Sequence, residues 1–174
     1  MTSATREALI IADASPLIGL AKIDRLGLLP ALASQVLIPH AVWREVVTAG
    51  GLRPEVARIE QALSSAVVQV EASNVVGLWE RVDLGEAEAI ALARVNPGCL
   101  LLIDDGAGRT LAGEFGVRVI GTAGLLLRAR KLGHLTSLAA ELGALQQHGL
   151  YLRPALIDQL LAAAGEARAS QAGT

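Results

Sequence analysis

The sequence predicts an α/β protein: a three-layer α/β/α sandwich around a mostly parallel sheet of about five strands, with C-terminal helices added. Three observations carry this. Short apolar runs recur at residues 8–12, 36–38, 67–71, 99–103 and 117–120. They are continuous rather than alternating, the pattern of strands buried on both faces. Stretches of helical period separate them, so consecutive strands need crossovers, which are right-handed in nearly all such units.

Taken in order, Ala8-Leu9-Ile10-Ile11-Ala12 is the first strand and stops at Asp13. Ser15-Pro16 reads as an N-cap and first-turn pair opening a helix to about Ala21. Residues 24–33 suit a second short helix. Pro39 follows the strand 36–38 and precedes a helix over 40–48, and Pro54 opens another to about Leu63. The run 67–71 is expected as the central strand. Asp83-Leu84-Gly85-Glu86 has the form of a capping box and starts a helix to about Val95. Helices over 107–115 and 122–132 follow the last two strands. After Gly133 the strand signals stop, and residues 136–147 and 154–165 read as two more helices. This divides the chain into a sheet-bearing part, 1–135, a helical extension of the same domain, 136–166, and a frayed tail, 167–174.

Composition narrows the function classes. The 174 residues are 52% apolar, enough for one substantial core. A net charge of −2 gives no global attraction to nucleic acid, so any such binding needs a local basic patch or a metal. Aromatics are scarce, which argues against a base-stacking platform. A single cysteine, Cys99, excludes an internal disulfide framework and reads as a buried, inert thiol. His40, His134 and His148 are scattered without Cys partners, which argues against zinc. The first residues do not read as a basic region followed by a long apolar stretch and cleavage site, and no apolar run approaches the roughly 18 residues needed to span a bilayer. A cytoplasmic protein is expected.

The chemistry lies in the acids. Asp13 ends the first strand, and Asp104 and Asp105 follow Cys99-Leu100-Leu101-Leu102-Ile103. Side chains past the carboxyl ends of parallel strands line the ligand crevice of an α/β sheet. Glu45 and Glu86 are available from helices. Carboxylates gathered there repel one another unless a cation joins them. Mg²⁺ or Mn²⁺ is the natural occupant, and phosphodiester cleavage the natural chemistry. Each acid also has a plainer role open to it. Asp13, the Asp104-Asp105-Gly106 turn and Glu86 can cap helices, Glu45 can be a solvated charge, and Glu88, two residues past Glu86, faces elsewhere. Arg109 can reach a substrate phosphate or pair with the acids. Gly121-Thr122-Ala123-Gly124 can offer backbone amides to a phosphate at a helix N-terminus. Arg128, Arg130 and Lys131 read best as a basic helix end.

The chain also resembles a known family. Ile11-Ala12-Asp13-Ala14-Ser15-Pro16-Leu17-Ile18, Ile38-Pro39 with Val42-Trp43-Arg44-Glu45, Leu84-Gly85-Glu86-Ala87-Glu88-Ala89-Ile90-Ala91-Leu92-Ala93, Leu102-Ile103-Asp104-Asp105 with Arg109, and Val119-Ile120-Gly121-Thr122-Ala123-Gly124 occur in this order. Together, over about residues 8–135, they resemble a PIN domain of the DUF3368 subfamily. The resemblance implies a metal-dependent nuclease fold related to VapC-type toxins. It implies Asp13, Glu45, Glu86 and Asp104 as the catalytic acids. Metal would be held by Asp13, Asp104, Glu86 and Asp105, and substrate phosphate by Ser15, Arg109 and Thr122. Ala14 stands where the family pattern usually has Thr or Ser, and Ser15 offers a hydroxyl in its place.

The expected function is therefore a Mg²⁺- or Mn²⁺-dependent endoribonuclease, the toxin of a toxin–antitoxin pair, with RNA as substrate and a small antitoxin as partner. A homodimer is expected, with Leu26–Leu32 or the C-terminal helices as its surface. The alternative is a PIN-like module that binds RNA or protein with weak or no cleavage, which Ala14 and the low basicity favour. A phosphoacceptor receiver domain ranks third, because its chemistry wants an acceptor Asp at the middle strand, whereas 67–71 ends in Glu71. A dinucleotide enzyme is disfavoured, since no Gly-x-Gly-x-x-Gly follows the first strand.

Overall fold

The structure is a computed structural model and describes residues 6–167. The predicted frayed tail lies outside the described residues from 168 onward. Five parallel strands form one sheet: β1 (Glu7–Ala12), β2 (Ala33–Pro39), β3 (Val67–Val68), β4 (Leu100–Leu102) and β5 (Arg118–Ile120), in the order β3-β2-β1-β4-β5.

The continuous apolar runs have the reason expected of them. On β1, Ile10 and Ala12 enter one core layer and Ile11 enters the other. On β4, Leu100 and Leu102 face the first layer, while Leu101 faces the second with the flanking Cys99 and Ile103. Both faces are covered, so neither strand has a polar side. The first layer is closed by α1 (Ala14–Lys22), α2 (Leu28–Leu32), α4 (Pro54–Leu63), α8 (Thr122–Lys131), α9 (Leu138–Gln147) and α10 (Pro154–Ala164), with Val42 from α3 (His40–Trp43). The second is closed by α5 (Ala72–Val75), α6 (Leu84–Arg94) and α7 (Gly106–Glu114). In α4 the buried residues Val56, Ile59 and Leu63 fall at spacings of three and four, one stripe of an amphipathic helix opened by Pro54. Alanine-rich α6 is buried almost all round, which lets it lie close on the sheet. Cys99 is buried, and burial pushes its thiol up.

Several expectations are corrected. The middle strand is β1, not 67–71. Only Val67–Val68 pairs, against Ile38 and Pro39, as a short edge strand. The order 3-2-1-4-5 also differs from the 2-1-3-4-5 order of receiver-like folds, so that reading now fails on topology. Asp13, not Ser15, takes the N-cap position of α1. The helix expected over 24–33 shrinks to α2, because Asp24 turns left-handed (φ 58) and the chain is already in β2 at Ala33. α5 carried no sequence signal that was read. Residues 40–48 form α3 followed by a π turn, Arg44–Thr48, in which Ala49 N–H donates to Arg44 O at 2.9 Å. Leu26, Leu28, Leu29 and Leu32 are buried in the core, so the Leu26–Leu32 segment is no free dimer surface.

Candidate functional site

The sheet order reverses between β1 and β4, and such a reversal opens a crevice beyond the carboxyl ends of the two strands. Asp13 stands at this point, its N–H donating to Leu102 O at 3.0 Å. It is 4% exposed, and its carboxylate is turned to the Ala14 amide without capping the rest of the first turn of α1. Burial, opposed by the Ala14 amide and reinforced by the charges of Glu86, Asp83 and Glu45, pushes it from 3.8 up to about 7.

Glu86 arrives from the first turn of α6 and is also buried. The capping box is present: Glu86 N–H donates to Asp83 Oδ1 at 2.8 Å, and Asp83 N–H donates to Glu86 Oε2 at 3.3 Å. Cap and cluster are thus one arrangement. Burial and the charges of Asp83, Asp105 and Glu45 push Glu86 up to about 7 against the Asp83 amide. Glu45 comes from the π turn, and burial with the charge of Asp83 raises it too. A Cβ at Gly85 would lie 3.0 Å from Glu45 Oε2 and 3.4 Å from Asp83 Oδ1, so glycine there leaves the Glu45 carboxylate its place. Glu88 points away, as expected, and its Oε2 accepts the Ala41 N–H at 2.8 Å. It ties α6 to the segment that carries Glu45.

The strand-end pair behaves differently. Asp104 Oδ1 accepts the Thr122 N–H at 2.7 Å and Oδ2 accepts the Thr122 hydroxyl at 2.6 Å. Thr122 is fully buried. Its hydroxyl and amide are both committed to Asp104, which leaves neither for a phosphate and puts the protein's own anion at the start of α8. Asp105 caps α7, accepting from Ala107 N–H at 2.8 Å and Gly108 N–H at 3.0 Å, yet its charge still reaches Glu86. Arg109 lies over Gly121, where a Cβ would come within 2.8 Å of its Nη1 and 3.0 Å of Asp104 Oδ1. It forms no ion pair among the described residues. Ser15 is exposed. Arg128 pairs with Glu7 at 2.7 Å and Arg130 with Glu166 at 2.6 Å, so the basic helix end is tied into the fold.

The arrangement therefore brings Asp13, Glu45 and Glu86 together, holds Asp105 at the edge, and turns Asp104 to Thr122. Sequence reasoning took Asp83 only as a cap. The reciprocity of the capping box was the signal that would have put it beside Glu86.

Hard oxygen donors with raised pKa values and, among the described residues, no cationic side chain paired to them fit a divalent cation of the Mg²⁺ type. Among the described residues no group of three His, Cys, Asp or Glu side chains is arranged to chelate one ion. That still fits, because Mg²⁺ keeps several waters and needs only one or two protein carboxylates. No helix of the described residues is long and apolar enough to cross a membrane.

The DUF3368 family model, described as a PIN domain, matches residues 9–166. No curated protein and no solved structure matches the chain.

Proposed function

The chain belongs to the DUF3368 family of PIN domains, a nuclease-type fold whose members generally use divalent metal ions; on that premise we propose that it is a Mg²⁺- or Mn²⁺-dependent endoribonuclease, the VapC-like toxin of a toxin–antitoxin pair. The observation that carries this reading is the unpaired set of acids at the β1/β4 reversal. Asp13 and Glu86 are both held near 7, where a bound cation would relieve them.

In this reading Asp13 and Glu86 would hold the ion, and Glu45 with Asp83 would accept hydrogen bonds from its waters. When bound, the ion supplies an ionisable water near neutral pH and neutralises charge on the phosphate. Asp104 sets the start of α8 and the wall of the crevice through Thr122, and each of its oxygens keeps a lone pair with which it could also join the metal set. Asp105 holds α7 and adds negative potential beside Glu86. Arg109 and Ser15 are the candidates for contact with substrate phosphate. Partners in this reading are RNA, a small antitoxin and a second copy of the chain, all in the cytoplasm. The exposed Val76, Trp79, Val95 and Phe115 supply apolar surface for a protein partner.

The test is cleavage of pooled cellular RNA by EDTA-stripped protein, with and without Mg²⁺ or Mn²⁺, beside Asp13→Asn. Metal-dependent fragments that vanish in the variant support the reading. Folded, metal-binding protein that cleaves nothing favours the second reading, a PIN module that binds RNA or protein. The engagement of Asp104 by Thr122 favours that alternative.

A further inference from the structure

A cleft of about 450 Å³ opens beside the acids, between the π turn and the first turn of α6. Its lining includes Arg44, Glu45, Thr48, Asp83, Leu84 and Gly85. Glu45 and Asp83 belong to both cleft and cluster, so the two form one continuous surface.

Arg44 is the only basic residue in that lining. Its side chain is exposed and makes no hydrogen bond or ion pair among the described residues. Consecutive residues on a helical turn do not face each other, so Arg44 cannot fold onto Glu45. The cleft thus carries a free guanidinium on one wall and carboxylates close by. That suits a polyanion with one phosphate on the guanidinium and its neighbour at a carboxylate-held cation.

The cleft is shallow and largely open to solvent, and its volume suits one nucleotide rather than a longer stretch. No aromatic side chain is in the lining, so there is no platform on which a base could stack. Contacts to phosphate position a nucleic acid but carry no sequence information. A nucleotide in a duplex would have to leave its stack to enter, at a cost of about a few kcal/mol.

We propose that this cleft is the subsite for one nucleotide of single-stranded RNA flanking the scissile bond, with Arg44 holding its phosphate without regard to the base. This rests on the nuclease reading.

The test is fluorescence anisotropy with labelled single-stranded RNA 12-mers of several sequences and one duplex, in Ca²⁺ over a range of salt. Native protein is compared with Arg44→Ala and Arg44→Lys. The expected result is that Arg44→Ala weakens binding several-fold for every single strand. It should also lower the slope of log affinity against log salt by about 0.7, the value for one lost phosphate contact on a single strand. Arg44→Lys should keep the slope. An unchanged affinity and slope in Arg44→Ala, a loss confined to particular sequences, or equally tight duplex binding would overturn the assignment. Cleavage in Mg²⁺ by the same proteins separates the two ideas. An Arg44-dependent slope without cleavage supports the cleft and sinks the nuclease. Asp13-dependent cleavage with no Arg44 effect does the reverse.

Discussion

Replacing Asp13 by Asn should stabilise the metal-free protein at pH 8 and leave it nearly unchanged at pH 4. Folding moves the Asp13 carboxyl from 3.8 to about 7, chiefly by burial. Below the lower value both folded and unfolded chains are protonated, and the shift contributes nothing. Between the two, the unfolded chain has lost the proton and the folded one keeps it. Stability therefore falls as pH rises from about 4 to about 7 and stays low above. A rise of this size corresponds to about 4 kcal/mol against the ionised, metal-free form. Asn removes the charge and keeps the shape. Glu86 and Glu45 act with the same sign and remain in both proteins, so the difference between the two reads Asp13 together with its coupling to them. The assay is thermal unfolding of EDTA-treated native and Asp13→Asn protein from pH 4 to 8. At about 2–4 °C per kcal/mol for a chain of this size, a gap of at least about 5 °C should open by pH 8. Mg²⁺ should narrow it by stabilising only the native protein, by about 2.7 kcal/mol at a hundredfold excess over Kd. Parallel pH curves for the two proteins would refute the argument.

Three further outcomes are expected. Glu166 accepts from Leu138 and Ala139 N–H, both at 2.9 Å, and from Ser137 and Arg130, contacts that hold it at about 2; its contribution is present above the ordinary carboxylate range and is lost as pH falls toward 2, and Glu166→Gln should cost about 1–2 kcal/mol in urea unfolding at pH 7 and nothing near pH 2. Thr122→Val, which leaves Asp104 without its hydroxyl partner, should destabilise by about 1–3 kcal/mol in the same assay, and Thr122→Ser should restore most of it. Glu88→Ala should lower kcat more than it changes KM, because it frees the segment carrying Glu45, whereas Glu88→Gln, whose carbonyl still accepts from Ala41, should stay close to native; equal loss in both would mean that the charge and not the contact matters.

The strands that were easiest to read are those with both faces covered, since β1 and β4 are apolar without interruption. β3 misled because Val67-Val68-Gln69-Val70 keeps its strand-forming residues past the point where a partner strand is available. Composition cannot say where pairing ends. The break after α1 was hidden in Asp24, whose left-handed backbone only the three-dimensional context demands. Among the acids, strand ends pointed to Asp13 and Asp104 alike, because sequence position gives the crevice but not the rotation of a side chain. Thr122 donates to Asp104 and not to Asp13, and that contact is how the surroundings of the two differ. Asp83 was read as a cap and nothing more, although a box that satisfies two amides reciprocally must also bring two carboxylates together.

The tie from Glu166 back to the start of α9 has a consequence for synthesis. Asp13, Glu45, Asp83, Glu86 and Asp105 all lie in the first 105 residues, so the acidic crevice is translated well before residue 166 emerges. At roughly 5–20 residues per second, the interval lasts seconds. Until then α9 lacks the acceptor for its first two amides, and a released chain truncated before residue 166 should show α9 more sensitive to protease than the chain that carries Glu166. The acidic crevice is thus made before the contact that locks the outer helices, and a binding partner made alongside the chain would meet that half-closed form first.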